Sequence, residues 1–543
     1  MKKLIPIIFC FNLFILLLCY SKLYSQSIPH LQKKGATQEL MVDGKPFLVL
    51  GGELGNSTAS SLDYMRPLWA KFKAMNLNTI LVPAYWDLIE PEEGKFNFDL
   101  LDSVLNTSRE NNLKVILLWF GTWKNSMSCY APAWIKTNEK RFPRAQDHAG
   151  KGLEILSAFS KNNLDADKKA FSELMKHLKE TDKSQTVIMV QVENEIGMLT
   201  EAREYTADAN KAFNNEVPKE LMNYLKSNKD SIVPELREHW AKTNFATKGN
   251  WENVFGKSLA TDELFQAWYY AKYANAVAAA GKAIYPLPMY VNAALNYRNV
   301  KPGQYPSAGP LPHLMDIWQA AAPAIDILSP DFYNPYFKHY CDLYTRRNNP
   351  LFIPEIRFES SDAAKVFYAI GHYQAIGFSP FSIESTEHPE DEPIGKAYSI
   401  LSQLSPEILK YSGTKKMEGV LLDTSNKKQE IILGNYKLTV SHDYTLGWSP
   451  EAKNPDWPMT GAIIIQTDEN DFIIAGTGVV VTFAVNNASN ISVGILQADE
   501  GIYEDGKWIP GRRMNGDQDH QGRHIRVPVG DWNIQHVKLY KYE

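Results

Sequence analysis

The stretch "TVIMVQVENEIG", residues 186–197, is an apolar run that stops at two glutamates on either side of an asparagine. A continuous run of this kind suits a strand covered on both faces, which belongs to a parallel sheet flanked by helices. Seven more runs resemble it: "FLVLGGE" (47–53), "TILVPAYW" (79–86), "KVILLWF" (114–120), "MYVNA" (289–293), "DILSPDFY" (326–333), "LFIPEI" (351–356) and "FSPFSIES" (378–385). Helical patterns lie between them. From Ser61 the spacing predicts one helix, capped by Ser61, with Tyr64, Leu68, Phe72 and Met75 on one face, and Asp99 opens another. Eight such units closing on themselves predict an α/β fold, a (β/α)8 TIM barrel. A doubly wound open sheet is the competing arrangement, but "LGGELGNS" after the first run lacks the spacing of a phosphate-binding glycine loop.

Outward from the barrel, three regions differ. Residues 1–25 have Lys2 and Lys3, an apolar stretch and the small Ser25, the layout of a secretory signal peptide. Export to the periplasm or the extracellular space is expected, with no membrane span left in the mature chain. Cys19 is a poor lipid-attachment site because the bulky Leu18 precedes it. The barrel is expected over 26–410, with a helical insertion at 200–285 rich in aromatic residues. Over 411–543 the pattern changes to alternating strands and turns, which predicts an antiparallel β-domain, most simply a sandwich. Its tryptophans, Trp448, Trp457, Trp508 and Trp532, are expected to pack structurally rather than to bind sugar.

The 543 residues are 44% hydrophobic and 12% aromatic, enough for large cores, and the net charge of -5 offers no basic stripe for nucleic acid. After export only Cys129 and Cys341 remain, either as one disulfide or as two thiols.

Reactive groups of a barrel sit at the carboxyl ends of its strands. The fourth run ends in Glu193, Asn194 and Glu195, and the seventh in Glu355. Two carboxyls facing each other across a barrel mouth suit glycoside hydrolysis, one to protonate the leaving oxygen and one to attack the anomeric carbon. Regular alternation points Glu193 and Glu195 the same way, so it does not choose between them. Buried ion pairs with residues such as Arg357 are the plain structural alternative.

"QVENEIG" resembles the QVENEYG signature of glycoside hydrolase family 35, the retaining β-galactosidases, and "YWDLIEPEEGKFNF" (85–98) is similar to its second-strand motif. The resemblance covers roughly residues 37–410. It implies that Glu195 is the acid/base and Glu355 the nucleophile, that Asn194 contacts the sugar 2-hydroxyl, and that Tyr333 orients Glu355. Asn292 and Glu53 are further candidate contacts, and Glu193 is left as an orienting or structural carboxylate. No metal or cofactor is implied. The family's second-strand tyrosine is replaced by Pro83, and its galactose-binding Ala-Glu pair by Lys124 and Asn125. Trp86 and Trp123 are the candidate sugar-stacking rings. The activity implied is that of an exo-acting β-galactosidase on oligo- or polysaccharides such as xyloglucan side chains. A β-glucosidase, β-mannosidase or α-L-arabinosidase is the alternative, and a non-catalytic carbohydrate-binding protein a third.

Overall fold

A computed structural model of the chain describes residues 27–297, 299–487 and 490–543, so the expected signal peptide lies outside the described residues. Eight strands form a closed barrel: β1 (Val49–Glu53), β2 (Thr79–Tyr85), β3 (Lys114–Lys124), β4 (Val187–Asn194), β5 (Met289–Ala294), β6 (Ile327–Phe332), β7 (Ile353–Arg357) and β8 (Gly377–Phe381). All eight pairings are parallel, and β8 closes on β1. Every residue of β2 and of β4 is buried, because one face of each strand fills the barrel and the other meets helices. The fold is a TIM barrel, with its strand ends gathered at one mouth.

The helix expected from Ser61 differs from its sequence pattern. Ser61 does cap, accepting from the Tyr64 backbone N–H, but the helix stops at Met65 and a second one runs from Leu68 to Ala74. Pro67 lacks a backbone N–H and cannot continue the first helix, so the direction changes there. As a result Met65 is buried with Leu68, Phe72 and Met75, while Tyr64 faces solvent.

Between β1 and the chain start lies a small antiparallel sheet, His30–Lys34, Thr37–Val42 and Lys45–Phe47. The helix α1 (Lys161–Thr181) precedes β4. Between β4 and β5 come the helices Ala207–Asn214, Lys219–Ser227, Pro234–Ala241 and Trp251–Phe255, then the long α2 (Leu259–Ile284), which packs along α1. Helix α3 (Asp362–His372) joins β7 to β8, and α4 (Pro393–Tyr411) ends the barrel.

Antiparallel strands follow in two sheets: a six-stranded one containing β9 (Met417–Leu422) and β10 (Thr460–Gln466), and a four-stranded one. Val420, Ile464, Leu438, Val481 and Val527 from both sheets share one core, so this is a sandwich. The six-stranded sheet is buried on its second face as well. Alternation puts Ile464 in the sandwich core and Ile463 and Ile465 in the barrel's core, which explains the unbroken apolar run of β10. Helix α3 lies on that face at van der Waals distance of the strands. A Cβ on Gly371 would come within 2.6 Å of the Gly419 Cα, and one on Gly461 within 2.6 Å of the Ala364 carbonyl oxygen. Backbones this close leave room only for glycine. Trp532 stacks on Phe367 of α3 and Trp508 packs on the barrel side. Trp457 packs on His442 within the sandwich, while Trp448 is half exposed. Cys129 and Cys341 are both free thiols, one exposed and one buried.

Candidate active site

At the barrel mouth the backbone departs from regular extension where the sequence pattern assumed it. Glu193 has φ 62° and Glu195 φ 44°, both in the left-handed region. Non-glycine residues rarely sit there, and the cost of such geometry is met by the surrounding structure. The consequence is that the two glutamates diverge, against the expectation from alternation. Glu193 turns outward, where its Oε2 accepts from the Trp123 backbone N–H at 2.8 Å and its carboxyl sits beside Asp167 of α1. Burial and the Asp167 charge push it well above the ordinary carboxyl range, which favours its protonated form among structural groups.

Glu195 turns into the mouth. Its backbone N–H donates to Asn292 Oδ1 at 3.0 Å, and its carboxyl accepts from the Asn125 side-chain amide. One oxygen each from Glu195, Glu355 and Asp331 lie within 4.8 Å of one another. Glu355 ends β7 beside its register partner Asp331 on β6 and accepts from the Tyr333 hydroxyl. Glu53, at the end of β1, is hydrogen-bonded to Glu355 and wholly buried. Four carboxyls therefore meet around one cation, Lys124, whose charge acts on Glu53, Glu195 and Glu355.

The loop that delivers Lys124 is a bulge. Trp119 pairs with Val192, yet Lys124 pairs with Asn194, so β3 spends five residues where β4 spends two. The chain then turns back through Asn125 (φ 49°) and Ser126 (φ 64°), with Lys124 and Met127 exchanging backbone hydrogen bonds. Asn125 N–H and Ser126 N–H donate to the carbonyls of Asn194 and Glu195, which fixes the irregular end of β4.

Electrostatics separate the carboxyls. Burial, with the Glu355 charge, pushes Glu195 up to about 7, and Lys124, Asp331 and Asn125 pull it back. Burial also raises Glu355, but Lys124 and hydrogen bonds from Tyr333 and Glu53 oppose the rise. Glu53 and Asp331 are pushed well above the ordinary range by burial first and by the Glu355 charge second. The arrangement supplies a proton donor titrating near neutral pH beside a carboxylate held by donors, which is what acid-assisted displacement needs. Glu195, Asp331 and Glu355 are also close enough to share a cation among the described residues, though Lys124 already brings positive charge to this site.

The other expected contacts divide. Asn194 is fully buried and neither atom of its amide has a protein partner, which leaves both for a polar ligand. Asn292 is not open to a sugar, because Oδ1 holds Glu195 and Nδ2 donates to Asp331 Oδ2 at 2.6 Å. Asn125 is exposed but engages Glu195 rather than standing free. Trp86 and Trp123 are corrected from stacking platforms to core residues. Each is fully buried: Trp86 packs against Trp119 and Trp134 and donates to Glu90, and Trp123 packs edge-on against Tyr270 and Tyr273 of α2. Alternation explains the second case, since Lys124 points in and its neighbour must point out. Asp331 was not anticipated, although an aspartate two residues before Tyr333 inside a buried strand is the signal that marks it.

Residues 39–263 match the family model described as Glycosyl hydrolases family 35, and residues 394–526 match a domain of unknown function, DUF5597. A beta-galactosidase of Xanthomonas manihotis is 30% identical over 173 residues, 31% of this chain and 26% of that protein. The human Beta-galactosidase-1-like protein 3 is 29% identical over 178 residues, 32% of this chain and 25% of that one. The chain thus spans about a quarter of the length of these curated relatives. Among solved structures, the GH42 beta-galactosidase Gan42B aligns with a TM-score of 0.54 at 11% identity, covering 94% of this chain and 100% of that one, a likeness of fold. Over residues 39–263, then, the chain is similar to glycosyl hydrolases family 35.

Proposed function

We propose that the protein is an exported, exo-acting retaining β-galactosidase that removes terminal galactose from oligo- or polysaccharides, xyloglucan side chains among them. The observation that carries the reading is the approach of Glu195 and Glu355 to within 4.8 Å at the barrel mouth. Carboxyls about 5 Å apart leave no room for the water that an inverting enzyme places between sugar and base, and suit direct attack. The names of the matched relatives support galactose as the sugar.

In the first step a Glu355 oxygen bonds to the anomeric carbon while the bond to the leaving oxygen breaks and that oxygen takes the Glu195 proton. In the second, Glu195 takes a proton from water, the hydroxide oxygen bonds to the anomeric carbon, and Glu355 is released. Tyr333 keeps Glu355 oriented, and Asn194 is the group free to meet the sugar.

A second reading keeps this chemistry and changes the sugar. Asn125, at the pair that binds galactose in the resembled family, is engaged by Glu195, and Pro83 carries no hydroxyl where that family has a tyrosine. Nitrophenyl β-D-galactoside, β-D-glucoside, β-D-mannoside and α-L-arabinoside assayed in parallel, with the product anomer followed by NMR, test both. Galactose released with retention supports the proposal, and retention on another sugar supports the second reading. Hydrolysis of none of them overturns both and favours a binding protein.

A further inference from the structure

Asp331 has no task in the two steps above, yet it is the most enclosed carboxyl of the site, with no exposed surface at all. It stands at the end of β6, level with Glu355 on β7. Its Oδ2 accepts from Asn292 Nδ2 at 2.6 Å, and the other atom of the same amide holds the backbone N–H of Glu195. The carboxyls of Asp331 and Glu195 are hydrogen-bonded to each other, and no protein donor is directed at Asp331 Oδ1.

Two carboxyls in hydrogen-bond contact inside a protein cannot both be ionised, because like charges that close and that dry do not both persist. The groups facing Asp331 are the carboxyls of Glu195, Glu355 and Glu53 and the phenols of Tyr290, Tyr333 and Tyr344. The site's cation, Lys124, acts on Glu53, Glu195 and Glu355. With Oδ2 occupied as an acceptor, the proton of Asp331 belongs on Oδ1, where it can be donated to Glu195.

We propose that Asp331 is a positioning residue of the proton-transfer step, a neutral acid that donates its O–H to Glu195 and, through Asn292, fixes where the Glu195 carboxyl points. The inference rests on the proposed function. During the first step the negative charge leaves Glu355, which becomes an ester, and appears on Glu195, which has lost its proton. Asp331 keeps its own proton throughout and stabilises the charge where it newly forms. In the second step the charge returns to Glu355, and Asp331 again ends as it began.

The test compares wild type with Asp331→Asn and Asp331→Leu on whichever nitrophenyl glycoside the wild type hydrolyses best. Asparagine is neutral and can donate from the same place, so kcat is expected within about tenfold of wild type, with the alkaline limb of kcat/KM moved by less than about half a unit. Leucine cannot donate. Its kcat is expected to fall about 100-fold or more, with the alkaline limb moved to higher pH because the Glu195 carboxylate has lost its donor. Asp331→Asn as impaired as Asp331→Leu, or with its alkaline limb lowered by about one unit, would show that Asp331 acts as an anion and would overturn the proposal. An infrared difference spectrum, wild type minus Asp331→Asn at pH 7, needs no turnover. Loss of a protonated-carboxyl C=O band supports the neutral acid, and its absence from the difference spectrum refutes it, even if no glycoside proves to be a substrate.

Discussion

Glu195 should cost the fold stability as pH rises, and Glu195→Gln should relieve that cost. In the folded chain burial pushes Glu195 from the usual 4.5 up to about 7, whereas in the unfolded chain it titrates near its ordinary value. Below about pH 4.5 both states hold the proton and stability is complete. As pH rises through 7 the folded state must give up a proton that its dry surroundings favour keeping, and stability is lost. A raise of about 2.5 units corresponds to about 3 kcal/mol. Glutamine has no proton to lose, so the stability of Glu195→Gln minus that of wild type should grow by about 3 kcal/mol between pH 4.5 and 8. For cooperative unfolding of a chain of this size that is about 3 °C in Tm. Glu53, Asp331 and Glu355 are raised too, but they occur in both proteins. The repulsion between Glu195 and Glu355 is part of what raises Glu195, so that figure already contains it. Urea denaturation and calorimetry at pH 4.5, 6 and 8 measure it. A gap that stays level or narrows with pH would refute the placement of a neutral Glu195 in this site.

Three further outcomes follow from the same geometry. Tyr333→Phe removes a donor to Glu355 and should lower kcat about 10- to 100-fold. It should also move the acidic limb of the pH profile upward, since that hydrogen bond holds Glu355 down. Glu193→Gln, on the far side of the backbone twist beside Asp167, should keep kcat within about tenfold while Glu195→Gln loses at least about 100-fold on a substrate needing acid assistance. Gly419→Ala puts a methyl against the backbone of α3 and should cost about 1–3 kcal/mol, read as a lower urea midpoint, with KM unchanged.

Much of the barrel was legible because its signal is local. Runs such as "TILVPAYW" and "TVIMVQVE" are apolar on both faces for the reason that strands in this fold are enclosed on both faces. The continuous "GAIIIQ" of the sandwich has the same cause, a sheet pressed between its own core and the barrel. Periodicity failed where the backbone was irregular. Pro67 split a helix that the apolar spacing joined, and the left-handed φ at Glu193 and Glu195 sent two side chains apart that alternation had pointed together. Neither glutamate carries a glycine's conformational mark, so nothing in the local pattern announced the turn. Strand ends brought Glu195, Glu355 and Tyr333 into view and the family resemblance gave them their roles, whereas Trp86 and Trp123 lie near strand ends too and proved to be core. Which side of the strand a terminal residue faces depends on bulges such as that between Trp119 and Lys124, and these are set by pairing with β4 rather than by β3 alone.

The central claim is that Glu355 attacks the sugar and Glu195 supplies and recovers the proton. A 2-deoxy-2-fluoro-β-D-galactoside with an activated leaving group, or its counterpart for whichever sugar is hydrolysed, should trap the ester intermediate. Peptide mass spectrometry of the inactivated protein should then place the added sugar on Glu355, and Glu355→Gln should take up none. A label on Glu195, Glu53 or Asp331, or steady turnover by Glu355→Gln, would contradict the assignment.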